Sequence, residues 1–113
     1  MRRYLFVCSQ NKLRSPTAEQ VFADWPGLSV LSAGTNNDAV TTLDTELVEW
    51  ADSIFVMERT HRNKLQKKFR KQLGGKRIIC LDIPDEYNFM EDALVDLLKD
   101  KMQPWLPMVP PED

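Results

Sequence analysis

Tyr4-Leu5-Phe6-Val7-Cys8-Ser9-Gln10-Asn11-Lys12-Leu13-Arg14-Ser15-Pro16 is the stretch that decides the fold. Its first four residues form an unbroken apolar run, the pattern of a buried strand. Ser15 is read as a helix N-cap and Pro16 as the first helical position, where a missing N–H costs nothing. Between strand and helix lies a short loop, able to curl its N–H groups around a tetrahedral oxyanion. The helix behind it adds the positive end of its dipole. Arg14 brings a fork of donors that matches two phosphoryl oxygens. The same positive field favours the thiolate of Cys8, so nucleophile and anion cradle coincide. Cys-x5-Arg-Ser in a strand–loop–helix context points to phosphate-ester chemistry through a cysteine.

The rest of the chain alternates. Ala18, Val21, Phe22 and Trp25 recur at helical spacing, and Pro26-Gly27 ends that helix. Residues 28–33 read as a second strand closed by Gly34. A polar loop follows, then a short helix over 42–50 with Leu43, Leu47 and Trp50 on one side. Residues 53–57 read as a third strand, and 59–73 as an amphipathic helix with the ridge Leu65, Phe69, Leu73, closed by Gly74-Gly75. A fourth strand over 77–81 leads through a loop to a last helix at 91–102, buried through Ala93, Leu94, Leu97 and Leu98. Strands alternating with helices predict a parallel sheet covered on both faces. Ligands in such sheets bind at the carboxyl ends of strands, where Cys8 and residues 82–87 both fall.

With 113 residues, 42% apolar content and a net charge of −2, one globular domain is expected. No apolar run reaches membrane-span length, and the one behind Met1-Arg2-Arg3 is too short for a signal sequence. Cys8 and Cys80 form no metal-ligand pattern and read as free thiols of a reducing cytoplasm. Charge is segregated: nine of fifteen Lys and Arg lie between Arg59 and Arg77, and nine of seventeen acids from Asp82 onward.

Residues 8–19, from Cys8 to Glu19, resemble the signature of the low-molecular-weight protein tyrosine phosphatases. Ser32-Ala33-Gly34-Thr35 resembles the segment after that family's second strand, residues 51–58 its third strand, and Asp82-Ile83-Pro84-Asp85-Glu86-Tyr87 its general-acid loop. The resemblance covers roughly residues 2–100. It implies a three-layer α/β sandwich with a four-stranded, flavodoxin-like parallel sheet in order 2-1-3-4, over a domain of residues 1–103. A proline-rich irregular tail would occupy 104–113. It also implies hydrolysis of phosphate monoesters, such as phosphotyrosine in proteins or aryl phosphates, through a phosphocysteine. No metal or other cofactor is implied.

In this reading Cys8 is the nucleophile and Arg14 clamps the phosphoryl group, while the N–H groups from Ser9 through Gln10, Asn11, Lys12 and Leu13 to Arg14 bind its oxygens. Ser15 would donate to the thiolate as well as cap the helix. Asn11 matches the family asparagine that bridges the loop. Asp82, Asp85 and Glu86 are candidates for the general acid that protonates the leaving oxygen. The family pattern of Asp, Pro and an aromatic residue maps to Asp85, with Glu86 in the proline's place and Tyr87 as an aromatic wall. Asp82, nearer the strand end, competes. Asp52 is expected to be structural, His61 a surface residue on the basic helix, and Cys80 core packing.

Leu13 stands where many members carry a second cysteine, so no disulfide with that neighbour can protect Cys8. Gln10 replaces the loop glycine. The segment from Gly34 to Ala51 is shorter than in typical members and omits the loop that walls a phenol ring, which implies a more open pocket. Two other functions compete. Arsenate reduction relays a disulfide through further cysteines, of which only Cys80 remains. A non-catalytic phospho-ligand or nucleic-acid binder would use the basic helix 59–71. That helix interleaves no aromatic residues for base stacking, which argues against nucleic acid and leaves an acidic partner as its expected ligand.

Overall fold

β1 (Arg2–Cys8) becomes a central strand because both of its faces are apolar. Tyr4, Phe6 and Cys8 point one way, Leu5 and Val7 the other, each set into its own core. In the computed structural model, which describes residues 1–108, the elements continue as α1 (Arg14–Phe22), β2 (Leu28–Gly34), α2 (Thr45–Trp50) and β3 (Ser53–Val56). They are followed by α3 (Arg59–Lys68), α4 (Arg70–Leu73), β4 (Arg77–Cys80), α5 (Asp92–Met102) and a 3₁₀ turn over Gln103–Trp105. The four strands are all parallel, in the order β2-β1-β3-β4.

On one face Phe6 and Phe55 pack against Ala18 and Phe22 of α1 and Leu94, Leu98 and Met102 of α5. Phe6 stacks on Phe22 at 5.9 Å and tilts against Phe55 at 5.5 Å between ring centroids. On the other face Leu5, Val7, Ile54 and Val56 meet Val48 of α2, Leu65 of α3 and Leu73 of α4. The sheet is the middle of three layers, as expected from the alternation of elements.

Several boundaries differ from the sequence reading. α1 starts at Arg14, with Leu13 before it, so Ser15 is an interior residue of the first turn and not its cap. α2 starts three residues later than expected because Asp44, a stronger cap than Thr42, accepts the Leu47 N–H at 2.8 Å. The helix expected over 59–73 is two helices. Phe69, at φ −121° and ψ 31°, leaves the helical region as its ring enters the second core. Gly74, at φ +49°, ends α4 in the left-handed conformation a Cβ disfavours. In α5 Ala93 is exposed, and Met102 takes its place in the core.

The start of the expected irregular tail is ordered against the core. Pro104 sits in the first positions of the 3₁₀ turn. The Trp105 ring meets Phe55 edge-on at 6.2 Å and lies 5.3 Å from the Arg77 guanidinium, and its carbonyl accepts the Tyr4 hydroxyl at 2.5 Å. Residues 109–113 of that tail lie outside the described residues. Among the described residues, no helix is long and apolar enough to cross a membrane.

β2 ends where the loop after β1 passes over it, and only Gly34 fits there. A Cβ at that position would lie 2.5 Å from the Ser9 carbonyl oxygen and 2.6 Å from the Ala39 Cβ. Gly34→Ala is therefore expected to lower the unfolding free energy by about 2 kcal/mol in urea titration, the scale of overpacking a closed contact.

Candidate active site

Cys8 closes β1, Glu58 follows β3, and residues 81–90 follow β4, so three chain segments meet at one edge of the sheet. There they surround a cavity of about 180 Å³ lined by Cys8, Ser9, Gln10, Lys12, Leu13, Arg14 and Asp85. The loop carbonyls are held outward: Cys8 O accepts from Thr35 N–H at 2.9 Å, Ser9 O from Asn36 N–H at 3.0 Å and Gln10 O from Val40 N–H at 3.0 Å. In a trans peptide the C=O and N–H point opposite ways. The N–H groups of Ser9, Gln10 and Asn11 therefore turn away from the segment after β2, toward the cavity side. Asn11, at φ +57°, makes the left-handed turn that this curl requires.

Asn11 and Ser15 do not line the cavity; they hold the loop from behind. The Thr41 N–H donates to Asn11 Oδ1 at 3.2 Å, which orients the amide. Asn11 Nδ2 then donates to Ser15 Oγ and Ser32 Oγ, each at 2.9 Å. The Ser32 hydroxyl in turn donates to Glu19 Oε1 at 2.5 Å. Ser15 Oγ, already an acceptor, has one proton left, with Cys8 Sγ at 2.9 Å and the Ala33 carbonyl at 3.4 Å. The nearer partner is the sulfur, so the hydroxyl is set to donate to a thiolate.

Arg14 is 3% exposed and cannot shed its charge. Its Nη1 donates to Glu58 Oε1 at 2.6 Å and to the Ile83 carbonyl at 2.7 Å. Nε lies 3.8 Å from Asp85 Oδ1. Nη1 is thus committed to holding the group in place, while Arg14 still contributes to the cavity lining. Asp85 is the acid that reaches the cavity. Asp82, at φ +53°, turns aside, and its Oδ1 accepts the Cys80 thiol at 3.3 Å. Tyr87 does not line the cavity; it packs against the aromatic core. Cys80 packs against the second core, though only half-buried, and burial raises its thiol pKa. Asp52 is structural as expected, accepting the Arg3 N–H at 2.8 Å.

His61 overturns its reading as a surface residue. It is buried beneath the loop, with Nε2 2.9 Å from Ser9 Oγ and Nδ1 accepting the Glu58 N–H at 3.0 Å. Burial, and next the Arg14 charge, lower its pKa to about 4. Neither His61 nor Glu58 had been assigned a site role. The available signal was the spacing of an acid and a histidine three apart at a strand-to-helix junction, a pattern that also fits an ordinary helix start.

No protein-family model matches the sequence, and no curated protein does. Solved structures do. Wzb from Vibrio vulnificus, in complex with benzylphosphonate, is 25% identical, with a TM-score of 0.74 over 92% of this chain and 96% of that one. The YwlE arginine phosphatase from Geobacillus stearothermophilus is 24% identical, with a TM-score of 0.69 over 92% and 94%. The low-molecular-weight protein tyrosine phosphatase from Streptococcus pyogenes is 18% identical, with a TM-score of 0.76 over 93% and 91%. The chain has the fold of the low-molecular-weight protein tyrosine phosphatases.

Because the folded pKa of His61 lies below the unfolded value of 6.5, the unfolded chain takes up the proton first as pH falls. Stability from this group is full above pH 6.5 and is lost as pH falls toward 4. Between pH 7 and pH 5 the loss amounts to about 2 kcal/mol. Urea unfolding at the two pH values should show this drop in the wild type and a smaller one in His61→Gln.

Proposed function

We propose that this chain is a cysteine-dependent phosphatase that hydrolyses phosphate monoesters, phosphotyrosine in proteins and aryl phosphates, through a phosphocysteine. The observation that carries the reading is a single cavity in which the loop after β1 and the segment after β4 together present a thiol, a buried guanidinium and a carboxyl. The Cys8 thiolate attacks phosphorus. As the S–P bond forms and the ester P–O bond breaks, Asp85 gives its proton to the departing oxygen. Asp85 then takes a proton from water, whose oxygen attacks phosphorus, and the S–P bond breaks to release phosphate and the thiolate. Arg14 and the loop N–H groups hold the equatorial oxygens through both steps, and the Ser15 hydroxyl stabilises the thiolate as leaving group.

Leu13 supplies the apolar side chain in the cavity lining against which a substrate ring can rest. Two free thiols suit a reducing cytoplasm, where the reading places the protein. Along α3 and α4, Lys67 and Arg70 line a shallow surface groove with Asn63, Gln66 and Leu73, a surface suited to an acidic segment of a protein substrate.

Metal-free hydrolysis of para-nitrophenyl phosphate, inhibited by vanadate, tests the chemistry. Cys8→Ser should abolish turnover, and Asp85→Ala should lower kcat by about 100-fold. Turnover that survives in Cys8→Ser would refute the phosphocysteine. Reversing charge at Lys67 and Arg70 should lower kcat/KM on an acidic phosphoprotein while leaving para-nitrophenyl phosphate unaffected. Equal losses on both would remove the docking role.

A further inference from the structure

An imidazole buried to 1% exposure forfeits hydrogen-bond energy at any nitrogen left without a partner, and both His61 nitrogens have one. The partner of Nδ1 is the Glu58 backbone N–H, which can only donate. Nδ1 is therefore unprotonated, and the neutral ring carries its proton on Nε2. Burial keeps the ring neutral near pH 7. Nε2–H accordingly donates to Ser9 Oγ at 2.9 Å, and the hydroxyl proton of Ser9 must point elsewhere. Ser9 lines the cavity next to Cys8.

We infer that His61 is a positioning residue that makes the Ser9 hydroxyl a fixed donor to a phosphoryl oxygen. This rests on the phosphatase reading of the cavity. The loop then offers a side-chain donor in addition to its N–H groups and Arg14. Its orientation is set by a residue 52 positions away in the chain. Glu58 joins the two halves of the arrangement: its N–H orients His61, and its carboxylate holds Arg14 at 2.6 Å. Donor direction at the loop and guanidinium position are thus referred to one short junction between β3 and α3.

The test separates the two nitrogens. Asparagine keeps an acceptor near the Nδ1 position and loses the donor; glutamine carries an amide donor out to the Nε2 position. His61→Asn should lower kcat/KM on para-nitrophenyl phosphate and the affinity for inorganic vanadate by about tenfold, as for loss of one hydrogen bond to a charged group. His61→Gln should stay within about threefold of wild type, since it keeps that bond. Ser9→Ala should match His61→Asn, and the double variant should be no worse than Ser9→Ala alone. Multiplied losses, or a wild-type His61→Asn, would overturn the inference. Nitrogen NMR of the wild-type ring at pH 7 decides the matter if a variant fails to fold: a proton on Nε2 supports it, and one on Nδ1 refutes it. A wild type that binds vanadate without hydrolysing the ester would refute the phosphatase, while the vanadate affinities still decide the role of His61. No vanadate binding by the wild type would refute both.

Discussion

Burying a guanidinium is the constraint on which the rest of this structure depends. Arg14 keeps its charge at any accessible pH and is 3% exposed, so its desolvation has to be offset by partners already in place. Those partners come from two other segments, the Glu58 carboxylate after β3 and the Ile83 carbonyl after β4. Removing either would leave a buried cation short of a partner, which is far more costly than a lost surface ion pair. The strand ends are therefore tied together by the same group that makes the cavity attractive to anions.

The second device is a one-way sequence of donors behind Cys8. It begins at a backbone N–H, Thr41, and continues through Asn11 to Ser15 and Ser32. Each step fills an acceptor site on the next group, so that its own proton is left to donate onward. The consequence at the near end is a hydroxyl proton directed at Cys8 Sγ, and at the far end a carboxylate, Glu19, that accepts the hydrogen bond of the Ser32 hydroxyl. Dipoles arranged in this way before any substrate arrives need no reorganisation during reaction.

How much of this was legible in the sequence follows the range of the interactions. The Cys8–Arg14 spacing and the unbroken apolar strands are local patterns, and they located both the loop and the sheet. Asp85 rather than Asp82 reaches the cavity because Asp82 adopts a left-handed backbone, a preference that single residues of its type tolerate without advertising. The break at Phe69 carries no Gly or Pro to mark it; the demand of the second core on that ring outweighs helix continuity. His61 was misread because a histidine among lysines and arginines looks like part of a solvated helix face. Its true environment is made by Ser9, and no local pattern records that pairing.

The two ends of the sheet are treated differently, and that difference explains how so small a domain can keep a polar cavity. At the amino end the gap is closed by apolar and aromatic contacts: Trp105 against Phe55, Arg77 over its indole, and Tyr4 bonded to its carbonyl. Both sheet faces are filled by cores of aromatic and aliphatic side chains. Burial at these places supplies stability roughly in proportion to apolar area. The carboxyl end also buries Val56, Met57, Leu81 and Ile83, but beside them its interior holds the polar Asn11, Arg14, Ser15, Ser32 and His61. Those groups are nearly neutral for stability when every bond is made and costly when one is missing. The carboxyl end is thus held by the bonds that Arg14 and the loop require, on a scaffold stabilised elsewhere, and that rigidity is what keeps a thiol, a guanidinium and a carboxyl facing one small volume.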